Sequence, residues 1–267
     1  MDSVPDHPPL AGVAEDLLAG GHVWQYELVE GDWLRFQVEP SGLIRFGDAA
    51  RTYEDPEAMP PAYRYAVESV RRRLDRTALR CAVEDVRTVT CCGIATYRET
   101  LAYAWDRLPG FLGTHVLVDG RTRPPDAVEQ IYEALGLEPA PAIAREQHVR
   151  DLSVETMSAP PSAWRDGPAA GVLIRRKGGG TAIWRPDSPP APDPEPHLEA
   201  RTGPSLSDRF EAILAEDPGV DVDELAARAL AAGYREIPAL RTIPDEDLTT
   251  LRGELNERAS RFLATRP

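Results

Sequence analysis

One lysine stands among the 30 basic residues of this 267-residue chain; the other 29 are arginine. Chemistry that needs a lysine nucleophile or Schiff base must therefore use Lys177, because a guanidinium stays protonated and is not nucleophilic. Lys177 lies in the stretch RRKGGGT. There Arg175, Arg176 and Lys177 supply charge and Gly178–Gly180 expose backbone N–H groups, a composition that could cradle phosphate. It is not a Walker A loop, since no Gly-Lys-Ser/Thr follows and no helix starts there. A solvated hairpin turn is the plainer reading of the same residues. Arg35, on a strand pattern further upstream, joins these three as a candidate nucleotide or RNA contact.

Other reactive types are sparser. Arg71–Arg73, Arg76 and Arg80 fall in one helical pattern, and Arg72, Arg76 and Arg80 are spaced i, i+4, i+8. That stripe could track phosphates, or be a solvated face balanced by Glu68, Asp75 and Glu84. His115 could act as a general base, but has no carboxylate partner identifiable in the sequence and reads equally as a satisfied cleft histidine. Glu27 and Glu30 could hold a metal or simply be exposed. Trp33 could stack on a base or belong to the core. Cys81, Cys91 and Cys92 match neither a disulfide framework nor a zinc pattern, and read as reduced, buried thiols. There is no Ser/His/Asp grouping and no dinucleotide-binding glycine fingerprint.

The charge balance is −14. Such a chain is a poor generic polyanion binder, so nucleic acid would need a local basic patch. The Arg-over-Lys bias with 26 Pro fits GC-rich coding or a salt-rich cytoplasm. No apolar run approaches the roughly 18–20 residues that cross a bilayer. The opening MDSVPDHPPLAGVAEDLL is acidic and proline-rich, unlike a signal peptide. The expected location is cytoplasmic.

The elements that must position these residues follow from periodicity. Residues 22–50 predict strands around a Pro40-Ser41-Gly42 turn, with Trp33, Arg35 and Gln37 alternating against Leu34, Phe36 and Val38 as in a half-buried strand. Ala66, Val67, Val70 and Leu74 predict a helix. Thr88–Ile94 and Phe111–Val118 predict buried strands. Asp126–Leu135 predicts a helix entered through Pro124-Pro125 and closed by Gly136. Ala169–Ile174 and Thr181–Trp184 predict strands around the KGGG turn. RPDSPPAPDPEPH reads as an extended linker. Helical patterns alone follow it, one of them DVDELAARALAAG, with Asp at its front and Gly233 at its end. The expected organisation is α+β over residues 1–185, a proline-rich acidic linker over 186–202 and a helical module over 203–267.

The α+β part resembles the ATP-dependent RNA ligase family of covalent nucleotidyltransferases, most nearly RNA-ligase-domain proteins of haloarchaeal or bacterial type. HVWQYELVEGDWLRF is similar to the strands around the family's Glu-Lys-x-Asp-Gly motif. VTCCGIATYRETLAYAWDRLPGFLGTHVLVDG is similar to its central Phe-Gly-Glu strand, a Tyr-x-Trp-Asp-x-x-Pro loop and a Leu-Gly-Phe-Asp-Val strand. SAWRDGPAAGVLIRRKGGGTAIW is similar to its Glu-Gly-Val-Val strand and the lysine strand beyond. The resemblance implies antiparallel, ATP-grasp-like sheets.

It also locates what is missing. The nucleophilic lysine position is Leu28. The central-strand glutamate position is Ile94, the Phe-Asp pair is Thr114-His115, the glutamate before Gly171 is Ala170, and the last-motif lysine is Ile183. Leucine has no lone pair with which to form a lysyl-AMP. Ile94 and Ala170 remove carboxylates for metal and ribose, and Ile183 removes a phosphate-neutralising cation. The expectation is an inactive member of this fold with no catalytic residues and no cofactor. It would bind RNA, an active ligase paralogue or a repair partner, and has no membrane segment and no DNA-sequence recognition motif. Two alternatives stand beside it. One is an active, divergent ligase using Lys177, ATP and Mg²⁺. The other is a helical adaptor built on residues 203–267.

Overall fold

The computed structural model describes residues 1–55, 58–194 and 204–266. Its strands are β1 (His22–Leu28), β2 (Gly31–Val38), β3 (Ile44–Gly47), β4 (Thr52–Tyr53), β5 (Val89–Thr96), β6 (Phe111–Val118), β7 (Arg121–Thr122), β8 (Ala142–His148), β9 (Gly171–Arg176) and β10 (Thr181–Trp184). Its helices are α1 (Leu10–Leu17), α2 (Arg64–Arg73), α3 (Arg76–Ala82), α4 (Pro125–Ala134), α5 (Pro204–Glu216), α6 (Val222–Glu236) and α7 (Asp245–Ala264). The strands form two antiparallel sheets, one ordered β10–β9–β1–β8 and the other β4–β3–β2–β5–β6–β7.

Each sheet buries both faces. One face of the six-stranded sheet meets α2 and α4 through Phe36, Cys91 and Val116 against Val67, Val70 and Tyr132. One face of the four-stranded sheet meets α1 through Val23, Ile174 and Ala182 against Leu10 and Leu17. The two remaining faces share a third cluster, in which Trp24, Tyr26, Leu28, Leu173 and Ile183 meet Ile94 and Leu112. This explains a departure from the half-buried reading of β2. Arg35 and Gln37 are 5% and 6% exposed, because the face expected to meet water faces the other sheet.

The arginine stripe is not formed. Leu74 is extended, and the Asp75 carboxylate accepts from the Thr77 and Ala78 amides, so it caps α3 as a new helix. Arg72 and Arg73 instead reach Glu216 of α5. Nor are all three thiols buried: Cys81 is exposed. Cys91 and Cys92 are buried, and burial pushes Cys91 up to about 12, which keeps it a protonated, unreactive thiol.

Helices α5–α7 share their own apolar cluster, with Phe210, Leu225, Leu230 and Leu255 among its members. Asp221 caps α6 as its spacing predicts. Gly233 does not end that helix, which runs on to Glu236; a Cβ there would lie 2.9 Å from Leu240 Cδ1, where the following turn folds back. Arg235, on the last turn of α6, inserts into the α+β body. It donates to Thr96 O and Oγ1 and to the carbonyls of Trp105, Leu108 and Pro109. Its guanidinium lies between the Tyr65 and Trp105 rings, 4.5 and 4.9 Å from their centroids.

The described start of the proline-rich stretch is fastened to the body. Asp193 accepts from Ala102 N and from Arg165, and Arg98 donates to the carbonyls of Asp193 and Pro194. Residues 195–202 of the expected linker lie outside the described residues. Among the described residues no helix is long and apolar enough to cross a membrane.

Candidate functional site

The register of the strands gathers four of the five substituted positions at one place. Leu28 ends β1 opposite Gly171, Ala170 precedes Gly171, Ile183 pairs with Leu173, and Ile94 pairs with Trp33. All four line a cavity of about 180 Å³ between the sheets, with Val29, Trp33, Leu101, Pro189 and Pro190. Gly31 is required at its floor: its φ is +139°, and a Cβ there would collide with the Ala95 carbonyl.

The acids near this cavity are engaged or clustered. Glu30 accepts from the amides of Glu99, Thr100 and Leu101 and from Thr100 Oγ1. Asp32 accepts from the Trp33 amide. Burial, and then the charges of Glu30 and Asp32, raise the pKa of Glu99. Glu27, read from sequence as either a metal ligand or an exposed acid, is 3% exposed; it accepts from Ser162 Oγ and Ala163 N, while burial raises its pKa. Among the described residues no group of three or more His, Cys, Asp or Glu is placed to hold a metal ion. The cavity wall carries no lysine and one arginine, Arg185, against Glu30, Asp32 and Glu99. To a triphosphate this wall offers one cation, Arg185.

The fifth position lies apart. His115 on β6 is fully buried, with Nδ1 3.0 Å from Thr114 Oγ1. It faces His7 edge-on at 5.0 Å between ring centroids, and His7 lies flat on Trp33 at 3.7 Å and 8°. His7 belongs to a segment, Met1–Pro9, that runs between the sheets. Arg35 donates to Asp2 O, Thr181 Oγ1 donates to Asp6 O, and Ile183 N donates to Pro8 O. Nothing in the sequence signals this placement, because a proline-rich stretch has neither helical nor strand period.

The basic candidates separate in the same way. Arg35 is buried beneath Met1–Pro9, and Arg175, 2% exposed, donates to the carbonyls of Thr114 and Arg123. Arg176 and Lys177 stand at the β9–β10 turn. Lys177 pairs with Glu146 at 3.0 Å and Asp126 at 3.7 Å, which raise its pKa and keep it protonated. His115, Arg175, Arg176 and Lys177 share a second, larger cavity; Arg35 lines neither.

The stacked His7 sets up a prediction. Burial, and then the charge of Arg175, hold its pKa down to about 3. A histidine depressed in the folded state takes up protons first when its contact is broken. Its contribution is therefore complete above about pH 6.5 and is lost as pH falls towards 3. His115, also depressed by burial, acts in the same direction. His7→Ala is expected to cost about 1 kcal/mol in urea unfolding and to shift tryptophan emission to the red. His7→Phe, which stacks without titrating, is expected to make stability fall less steeply below pH 6.5; an unchanged slope would refute the assignment.

Solved structures similar to this arrangement are RNA ligases. Three are mutant forms of the RNA ligase of Naegleria gruberi: one with ATP and Mn (TM-score 0.53, 12% identity), one without ligand (0.52, 11%) and one with AMP and Mn (0.52, 10%). The fold is that of the ATP-dependent RNA ligases. Each alignment covers 69% of this chain and 56% of the ligase chain, so the protein spans little more than half the length of these structures. No family model and no curated protein matches the sequence.

Proposed function

We propose that this protein is a catalytically inactive nucleotidyltransferase of the RNA-ligase fold that acts by binding. The observation that carries the proposal is the convergence of Leu28, Ile94, Ala170 and Ile183 on one cavity. The resemblance places four charged catalytic groups of the family at these positions. Four apolar replacements gathered together act as a core, not as a damaged site. Residues 1–185 and 203–267 are the two units, joined through 186–202 and fastened by Arg235. The binding partner is RNA, with Arg176 and Lys177 at the β9–β10 turn as contacts. Protein partners, an active ligase among them, are the competing class.

Intact-mass spectrometry after incubation with ATP and Mg²⁺ or Mn²⁺ tests the inactive state. The expected result is an unmodified chain in a sample whose circular dichroism shows it folded. An added AMP lost in Lys177→Arg would establish the active alternative. Retention of short RNA at low salt, weakening as salt rises, is the expected binding result; no retention at any salt would leave the protein-partner class.

A further inference from the structure

The segment Met1–Pro9 is lightly held in the space between the sheets. None of its residues belongs to, or packs against, any of the four apolar clusters of the described residues. Its attachments are polar. Arg35 and Thr181 donate to the carbonyls of Asp2 and Asp6, the Ile183 amide donates to Pro8 O, and the amide and carboxylate of Asp2 meet Thr90 Oγ1. His7 adds one stack, on Trp33. A segment attached in this way opens locally at less cost than the apolar cores around it, and its departure leaves those cores whole.

The groups beneath the segment are polar and incompletely answered by it. Strand register sets Arg35 beside Cys92 and Cys92 beside His115, with Trp33 two residues along β2 on the same face. Arg35 is 5% exposed, and among the described residues no carboxylate pairs with it, although a buried cation ordinarily requires an anion or a full polar shell. Its Nε has no hydrogen-bond partner, nor has Nε2 of His7 or of His115. Three orphaned nitrogens in one place show that the segment fills the cleft without satisfying it. Trp33 offers a ring face, now covered by His7, and ring faces take bases. Arg35 offers a guanidinium without an anion, which takes a phosphate. An extended peptide laid along β10 would repeat the Pro8 contact at Ile183 and leave that guanidinium as it is. Pro5, Asp6 and Pro8 share a cavity wall with Arg176 and Lys177, so the cleft opens towards the β9–β10 turn.

We infer that Met1–Pro9 is an intramolecular plug over a site for single-stranded RNA. RNA displaces the segment, a base stacks on Trp33 in place of His7, and an adjoining phosphate accepts from Arg35. Arg35 thus supports Asp2 while the plug is in place and meets the strand once it is gone. The inference rests on the RNA-binding reading and adds to it the place where the strand enters and the contact that holds that place shut. Apparent affinity is then the intrinsic affinity reduced by the fraction of molecules that are open.

Hydrogen exchange of the full chain, alone and saturated with hexa-adenylate RNA at low salt, tests the displacement directly. The Ile183 amide, which the plug ties to Pro8, is expected to lose protection in the complex, while amides inside β1, β2 and β5 keep theirs. Fluorescence anisotropy with the same labelled RNA tests the contact that holds the plug. His7→Ala is expected to bind about fivefold more tightly, the affinity equivalent of the lost stack. His7→Phe, which keeps the stack, is expected to stay within about twofold of the parent. Trp33→Leu added to His7→Ala is expected to cancel the gain, because the base loses its platform. RNA bound with the Ile183 amide still protected, or with equal affinity for the parent and His7→Ala, would overturn the plug and leave the RNA-binding reading standing. No binding of RNA by any form would overturn both, so the two failures are distinguishable.

Discussion

Arg235→Ala is expected to lose about 3–5 kcal/mol of unfolding free energy, more than any other single side-chain truncation in the helical region. The guanidinium is 1% exposed and reaches five oxygens on the α+β body. Burial pushes its pKa down to about 10, so it is still a cation at neutral pH and its hydrogen bonds are charge-assisted. Truncation strands those oxygens and empties the space between Tyr65 and Trp105. The main-chain link from Arg98 N to Arg235 O depends on the same docking. Arg235→Lys retains charge but not the planar fork, and is expected to lose roughly half as much. Urea unfolding measures the totals. Hydrogen exchange locates them: amides of α6 and of residues 96–109 are expected to lose protection together. A variant within about 1 kcal/mol of the parent would mean that the helices are held by their apolar contacts alone.

Leu28→Lys is expected to restore nothing and to destabilise the fold by roughly 2–4 kcal/mol. Leu28 is 5% exposed, in an apolar cluster that includes Val29, Ile94, Leu101 and Ile183. An ammonium in that cluster is desolvated, so its pKa falls and its neutral amine becomes available. A neutral amine would still need a held phosphorus atom to attack. Ile183 supplies no cation to neutralise the phosphate, and Ile94 and Ala170 supply no carboxylate. Intact mass after ATP and Mn²⁺ is therefore expected to be unchanged for the folded variant, while the conservative Leu28→Met changes stability by less than about 1.5 kcal/mol. An AMP adduct on Leu28→Lys would show that the cavity between the sheets accepts a nucleotide, and would reduce the loss of function to one residue.

The cavity lined by Leu28, Ile94, Ala170 and Ile183 is legible in the sequence to a degree that the rest of the site is not. The resemblance runs along strands, and strand register carries each residue to a definite neighbour. Leu28, Ile94, Ala170 and Ile183, separated by up to 155 positions, therefore fall at one place. The strands Phe111–Val118 and Thr181–Trp184 and the helix closed by Gly136 are also legible, because period, proline and glycine act within a few residues. The arginine stripe fails for an equally local reason: Asp75 can interrupt a helix as a cap or decorate one as a surface acid, and only its amide contacts decide between them.

Composition and short-range pattern thus determined that this is an α+β protein with one lysine, apolar residues at the positions the resemblance assigns to catalysis, and a helical region after a proline-rich stretch. Tertiary structure alone decided three things. It laid Met1–Pro9 between the sheets, with His7 on Trp33. It buried both faces of β2, setting Arg35 as a support for Asp2. And it drove Arg235 of α6 into carbonyls more than a hundred residues away. All three depend on backbone carbonyls and exposed edges meeting across long sequence separations. Every residue carries a carbonyl, so side-chain identity holds no record of which one is used.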